Sequence, residues 1–386
     1  MPELENKITK RAELTGNNPY CQGLRLRLPV FCFFFPGKPV TFAKFISVKS
    51  VFPLLLSCLS FTVVAQRNID VLHYSFSIEL NDHNDSVFGQ ARIDFKTIEP
   101  VSFLSLDLTS LNPSKKGMIV TTVLFDPFSS VLLPFKQEKD KLIITLNQQL
   151  AKGDSSFVTV FYKGIPANGL VISTNQYNKR TFFGDNWPNR AHHWLPCVDD
   201  PADKASVEFI VTAPSHYQVV ANGIQIEETN LPDNKKLTHW KEDVPLPTKV
   251  MVIGVAGFAV QNVGSADNCI PVSSWVFPEN KTEGFYDYAT AKDVLAWHIK
   301  YIGPYAYKKL ANVQSKTMFG GMENAGAIFY HEGSVTGKRM EEELQSHEIV
   351  HQWFGNHATE KSFAHLWLSE GFATYLTHIY MESKYG

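Results

Sequence analysis

His347-Glu348-Ile349-Val350-His351 constrains this chain more than any other stretch, because its two imidazoles can act together on one face of a helix. Residues four apart share that face, so both rings can reach a single ion. Glu348 lies beside them, placed to act on an activated water rather than on the ion. Glu370, after eighteen intervening residues, can supply a third ligand. Two histidines and a carboxylate are the set typical of catalytic zinc, with a fourth position open for chemistry. Among 13 His, a lone match could be a solvated helix with two exposed imidazoles. The flanks argue otherwise. Met340-Glu341-Glu342-Glu343-Leu344 leads in with helix formers and early acidic residues. Ile349, Val350, Trp353 and Phe354 are too apolar for a solvated surface. The pattern predicts a helix from about Glu341 to Phe354, stopped by Gly355-Asn356.

A length of 386 residues gives room for two or three domains. A net charge of −2 gives no electrostatic reason to expect nucleic acid or an anionic membrane as partner. After Lys49, a short apolar run ends in Ala65, the layout of a signal peptide over 49–65 with cleavage before Gln66. The run is shorter than the ~20 residues of a spanning helix. No transmembrane span is therefore expected beyond the signal segment. The chain reads as exported, periplasmic or extracellular, with anchoring through this segment as the alternative. Residues 1–48 read as a non-native or disordered extension, with translation starting nearer Lys49. The mature region keeps Cys197 and Cys269, which can form one disulfide or remain two buried thiols.

From about Asn68 to Gln261 the pattern is β. Alternating runs fall at 71–80 and 86–95, with shorter ones at 142–146, 157–162, 206–211, 219–221 and 250–255. Their spacing suits sheets packed on each other. Helical spacing takes over at about Thr282 to Tyr301, ended by Gly303-Pro304. A strand-like piece follows at 312–317, and a second helix at about Leu366 to Tyr385 carries Glu370 near its start. Tyr375, Tyr380 and Tyr385 on that helix read as packing residues.

Gly320-Gly321-Met322-Glu323-Asn324 precedes the metal helix by about two dozen residues. With H-E-x-x-H and the distant Glu370, it resembles the M1 family of zinc aminopeptidases, the gluzincin class. Trp367-Leu368-Ser369-Glu370-Gly371-Phe372-Ala373 is similar to the family's W-L-N-E-G-F-A segment, and Tyr301-Ile302-Gly303-Pro304-Tyr305 to its F-G-x-Y segment. The stretch Pro196-Cys197-Val198-Asp199-Asp200-Pro201 and Ala221-Asn222-Gly223 resemble further family motifs. The resemblance covers about 68–386. It implies a β-sandwich or saddle domain over 66–265, then the first part of a thermolysin-like α/β catalytic domain over 266–386. It also implies one zinc ion per chain on His347, His351 and Glu370, with Glu348 as general base. Gly320, Gly321, Met322, Glu323 and Asn324 would bind a peptide substrate, Glu323 holding its free amine.

Two departures stand out. Many family members carry a second amine anchor nine residues before the Pro of the P-C-x-D stretch; here that position is Trp187, with Asp185 the nearest acid. The family's oxyanion-stabilising Tyr falls beyond Gly386, so the chain reads as a truncated form. An inactive zinc-binding fragment and a leukotriene-hydrolase-like bifunctional enzyme are the alternatives. Mass spectrometry of the exported protein should find Gln66 as its first residue. Recovery of residues 1–45 on the precursor would overturn the assigned start.

Overall fold

Alternation of apolar and polar residues carries most of the chain into sheets. The computed structural model describes residues 67–125 and 131–386. The expected signal peptide and the extension before it lie outside the described residues. An eight-stranded sheet is built around Ile69–Glu79, which pairs antiparallel with Val87–Thr97 and parallel with Lys204–Pro214. Phe76, Ile93, Phe95, Val207, Phe209 and Val211 on these strands are fully buried. Each such side chain contributes roughly 1.5–3 kcal/mol on burial. Phe76 and Phe209 stack at 5.5 Å between centroids.

A five-stranded sheet follows, in the order Ala259–Ala266, Ile270–Val276, Leu310–Ser315, Ala327–His331 and Gly321–Met322. It shares an apolar core with a four-stranded sheet: Phe183, Val220 and Val252 from one side meet Phe277, Met322 and Phe329 from the other. Among the described residues four α-helices accompany it: α1 (Lys281–Tyr288), α2 (Ala291–Ile302), α3 (Glu342–Val350) and α4 (Leu366–Tyr385). Sheets first, then a smaller mixed sheet with helices, is the β plus α/β arrangement expected from the sequence.

Helix boundaries differ from expectation in two places. The segment read as one helix over 282–301 is broken between α1 and α2. There the Thr290 hydroxyl donates to the Asp287 carbonyl at 2.9 Å and to Gln345 Oε1 of α3 at 2.5 Å. Helix α3 ends at Val350 rather than Phe354, because Gln352 and Trp353 donate to carbonyls three residues back and tighten the turn. A polar seam joins the last three helices: His298 of α2 bonds Ser346 of α3 at 2.9 Å, and Thr377 of α4 bonds Ser346 at 3.2 Å. Burial pushes the His298 imidazole down to about 3, which keeps it neutral there.

Of the α4 tyrosines, Tyr380 packs as expected, 2% exposed and against Trp297. Tyr375 and Tyr385 are each 62% exposed, so the packing expectation is corrected for them. They share the open face of α4 with Trp367 and Phe372. Cys197 is a free, fully buried thiol, so it does not bridge to Cys269. No described helix is long and apolar enough to cross a membrane.

Two buried links tie the sheets to the segment after α3. Asp199 accepts from the Thr248 hydroxyl at 2.6 Å and so holds the turn Thr248–Val250. From that turn Lys249, fully buried, reaches Glu360 at 2.5 Å, with side-chain exposures of 0% and 1%. A buried charge left without its partner is costly. Glu360→Ala should therefore lower unfolding stability by about 3–5 kcal/mol in urea titrations. Adding Lys249→Met should recover part of the loss.

Candidate metal and substrate site

The metal helix presents both imidazoles to the start of α4. His347 Nε2 and His351 Nε2 lie 3.1 Å apart, and Glu370 Oε2 is 3.3 Å and 3.5 Å from them. A tetrahedral ion with bonds of ~2.0–2.1 Å needs ligand separations of about 3.3 Å. This triangle already has that size. His351 Nδ1–H donates to the Phe354 carbonyl at 3.0 Å, which fixes the tautomer and leaves Nε2 free to bind. Among the described residues no other group of His, Cys, Asp or Glu converges this way. The residues present therefore fit a zinc ion in both geometry and donor chemistry.

Charge in the site is lopsided. Burial raises the Glu348 carboxyl to about 8, with His351 opposing and Glu323 and Glu370 adding to the rise. Burial also works against a charge on His351. The Glu370 hydrogen bond and the three nearby carboxylates overcome it and lift the imidazole to about 9. Glu370 is also penalised by burial, but its contacts with His347 and His351 hold it well below the usual carboxylate range. Protons thus sit where a cation would otherwise balance the carboxylates.

The predicted substrate segment reaches the metal helix through the sheet. Gly321–Met322 is the edge strand, antiparallel to Ala327–His331. A Cβ on Gly321 would lie 2.2 Å from Glu348 Oε1, so the glycine is required by the Glu348 carboxylate itself. Gly320, Gly321, Met322 and Glu323 line a cavity of about 610 Å³ together with His347, Glu348, His351 and Glu370. Asn324 is not among the residues that line it. Its backbone makes a turn, bonding Met322 and Ala327, and its side chain is fully buried.

Two residues that sequence reasoning missed hold Glu323 in place. Gln352 Nε2 donates to the Glu323 carbonyl at 2.9 Å, and Asn356 Nδ2 donates to the same oxygen at 2.6 Å. Gln352 Oε1 also accepts from the Gly326 amide at 2.9 Å. Both are buried polar residues, and the only sequence signal was their place around the apolar pair Trp353-Phe354. Asn222 buckles the same loop from the sheet side, donating to the Ala325 and Val250 carbonyls at 2.8 Å each. Asp185 is 1% exposed and ion-paired with Arg190 behind the cavity wall, whereas Trp187 is on that wall.

With this geometry in view, the relatives become informative. Residues 71–250 match the Peptidase M1 N-terminal domain, and residues 286–386 match the Peptidase family M1 domain. The chain belongs to the M1 peptidase family. It is 29% identical to glutamyl aminopeptidase of Homo sapiens, over 80% of this chain and 34% of that protein. It is 25% identical to aminopeptidase 2 of Candida albicans, over 83% of this chain and 36% of that protein. The chain thus spans about a third of the length of these curated relatives. Its fold is shared with a solved M1 zinc metallopeptidase from Deinococcus radiodurans, with a TM-score of 0.71 and 23% identity, covering 83% of this chain and 72% of that one. Membership of this family implies zinc.

Zinc loading should release at least one proton at neutral pH, because His351 must give up its proton to bind. Apparent affinity should rise with pH by about tenfold per unit per proton displaced, up to about 9. Calorimetry in two buffers of different ionisation enthalpy measures that proton count. A count of zero would show that His351 is neutral before zinc arrives.

Proposed function

We propose that this chain carries the metal and amine-recognition machinery of a zinc aminopeptidase, which removes residues one at a time from the free N-terminus of a peptide. The observation that carries this reading is one shared cavity. It holds the His347–His351–Glu370 triangle, the buried Glu348 and the buried Glu323.

His347, His351 and Glu370 would hold zinc, which supplies polarisation of the scissile carbonyl and acidification of a water. Glu348 accepts a proton from the attacking water and returns it to the departing amine. Glu323 pairs with the substrate's α-ammonium through a charge-assisted contact. Fixing the terminus in this way lays the first peptide bond, and not a later one, over the reacting groups. The clasp of Gln352 and Asn356 on the Glu323 carbonyl ties that anchor to the segment bearing the histidines. Amine anchor and reacting centre therefore keep a fixed separation, as a one-residue cutter needs.

Hydrolysis of aminoacyl anilides should disappear on chelation and return with zinc. Glu348→Gln should lower kcat by about 10²–10⁴-fold while zinc content is unchanged. N-acetylated substrates should be turned over at least about tenfold more slowly, because Glu323 then has no cation to hold. Equal rates on free and blocked substrates would remove Glu323 from its assigned role.

A further inference from the structure

The cavity beside Glu323 has a chemical bias that bears on which terminal residue it accepts. It is lined by Glu323, Glu341, Glu343, Glu348 and Glu370, and among the described residues that line it there is no lysine or arginine. One wall is Trp187 against Phe319, edge to face at 5.5 Å between centroids and 81° between planes. Trp187 is partly buried and packs on the core that contains Met322, so its ring is held from behind. Phe319 is 42% exposed, leaving an aromatic surface open to a ligand. The nearest acid behind this wall, Asp185, is occupied by Arg190 and does not reach the cavity.

Three consequences follow from elementary chemistry. The substrate's α-ammonium meets one carboxylate, Glu323, at this end of the cavity. Beside this wall an acidic terminal side chain would find no lysine or arginine on the cavity lining to pair with, while Glu323 on the same lining opposes its entry. A large apolar or aromatic side chain would instead bury its surface on two aromatic rings. We propose that Trp187 and Phe319 form the wall against which the N-terminal side chain packs, so that this chain selects large apolar or aromatic terminal residues and rejects acidic ones. This rests on the aminopeptidase reading and goes beyond it. It also separates this chain from the glutamyl aminopeptidases it resembles, whose name specifies an acidic residue.

Equilibrium binding tests the wall without requiring turnover. The zinc-loaded chain is titrated by calorimetry with glycinamide, L-phenylalaninamide, L-argininamide and the α-amide of L-glutamate. L-phenylalaninamide should bind at least about tenfold tighter than glycinamide, the scale set by burying one aromatic side chain. The glutamate amide should bind more weakly than glycinamide. Trp187→Ala should erase most of the phenylalanine-over-glycine ratio while zinc content stays the same, and Trp187→Phe should keep most of it. An unchanged ratio in Trp187→Ala would overturn the assignment, as would tight binding of the glutamate amide. L-argininamide binding tighter than L-phenylalaninamide would overturn it in favour of the carboxylates as the selecting groups. In each of these cases amides still bind and the aminopeptidase reading stands. Failure of all four amides to bind would overturn both, and would point first to Glu323 as anchor.

Discussion

Three carboxylates, two of them buried, converge on two imidazoles in one cavity, and much of the second half of the chain is arranged around that convergence. Glu323, Glu348 and Glu370 arrive from an edge loop, the metal helix and the start of α4. Like charges at this spacing repel strongly once water is excluded. Burial first, and then the Glu323 and Glu370 carboxylates, raise the proton affinity of Glu348, while the Glu370 hydrogen bond and the same carboxylates raise that of His351 against its burial. A divalent ion at the imidazoles would relieve the repulsion, which makes metal and electrostatic stability of the site two aspects of one requirement.

Holding such groups together calls for a rigid frame, and here the frame is a set of buried polar links. Gln352 and Asn356 grip the Glu323 carbonyl from the metal-helix side. Asn222 and Lys309 grip the neighbouring loop from the sheet side, Lys309 donating to the Ala221 and Gly326 carbonyls. Lys249 and Glu360 repeat the idea further along. Polar links of this kind specify one arrangement, because any slip leaves a buried donor or acceptor unpaired. The apolar core alone would tolerate small slides. The β sheets therefore serve the site as well as flank it.

Much of this was legible in the sequence, for identifiable reasons. The alternating runs at 71–80 and 86–95 became strands at Ile69–Glu79 and Val87–Thr97, since one buried face imposes a period of two. The helix read at about 366–385 was found at Leu366–Tyr385. What misled was local chemistry that periodicity does not register. The Thr290 hydroxyl splits one helix into two, and three-residue turns end α3 early. Exposed Tyr375 and Tyr385 show that an aromatic on a helix need not face a core.

The pairing of His347 and His351 was set by sequence, because i,i+4 spacing on a helix leaves two imidazoles little choice of direction, whereas Glu370 joins them only through the packing of α4. Belonging to the M1 family was likewise written in local motifs. Tertiary structure alone decided the rest. It placed Asn324 beneath the cavity and Glu323 within it, a difference of one residue that follows from the turn after the edge strand. It made Gly321 a requirement of Glu348. It put Trp187, from a segment more than a hundred residues before the metal helix, on the wall beside the amine anchor. Spacing along a chain constrains only groups on one element, whereas a cavity wall is assembled from elements whose meeting depends on how every sheet and helix packs.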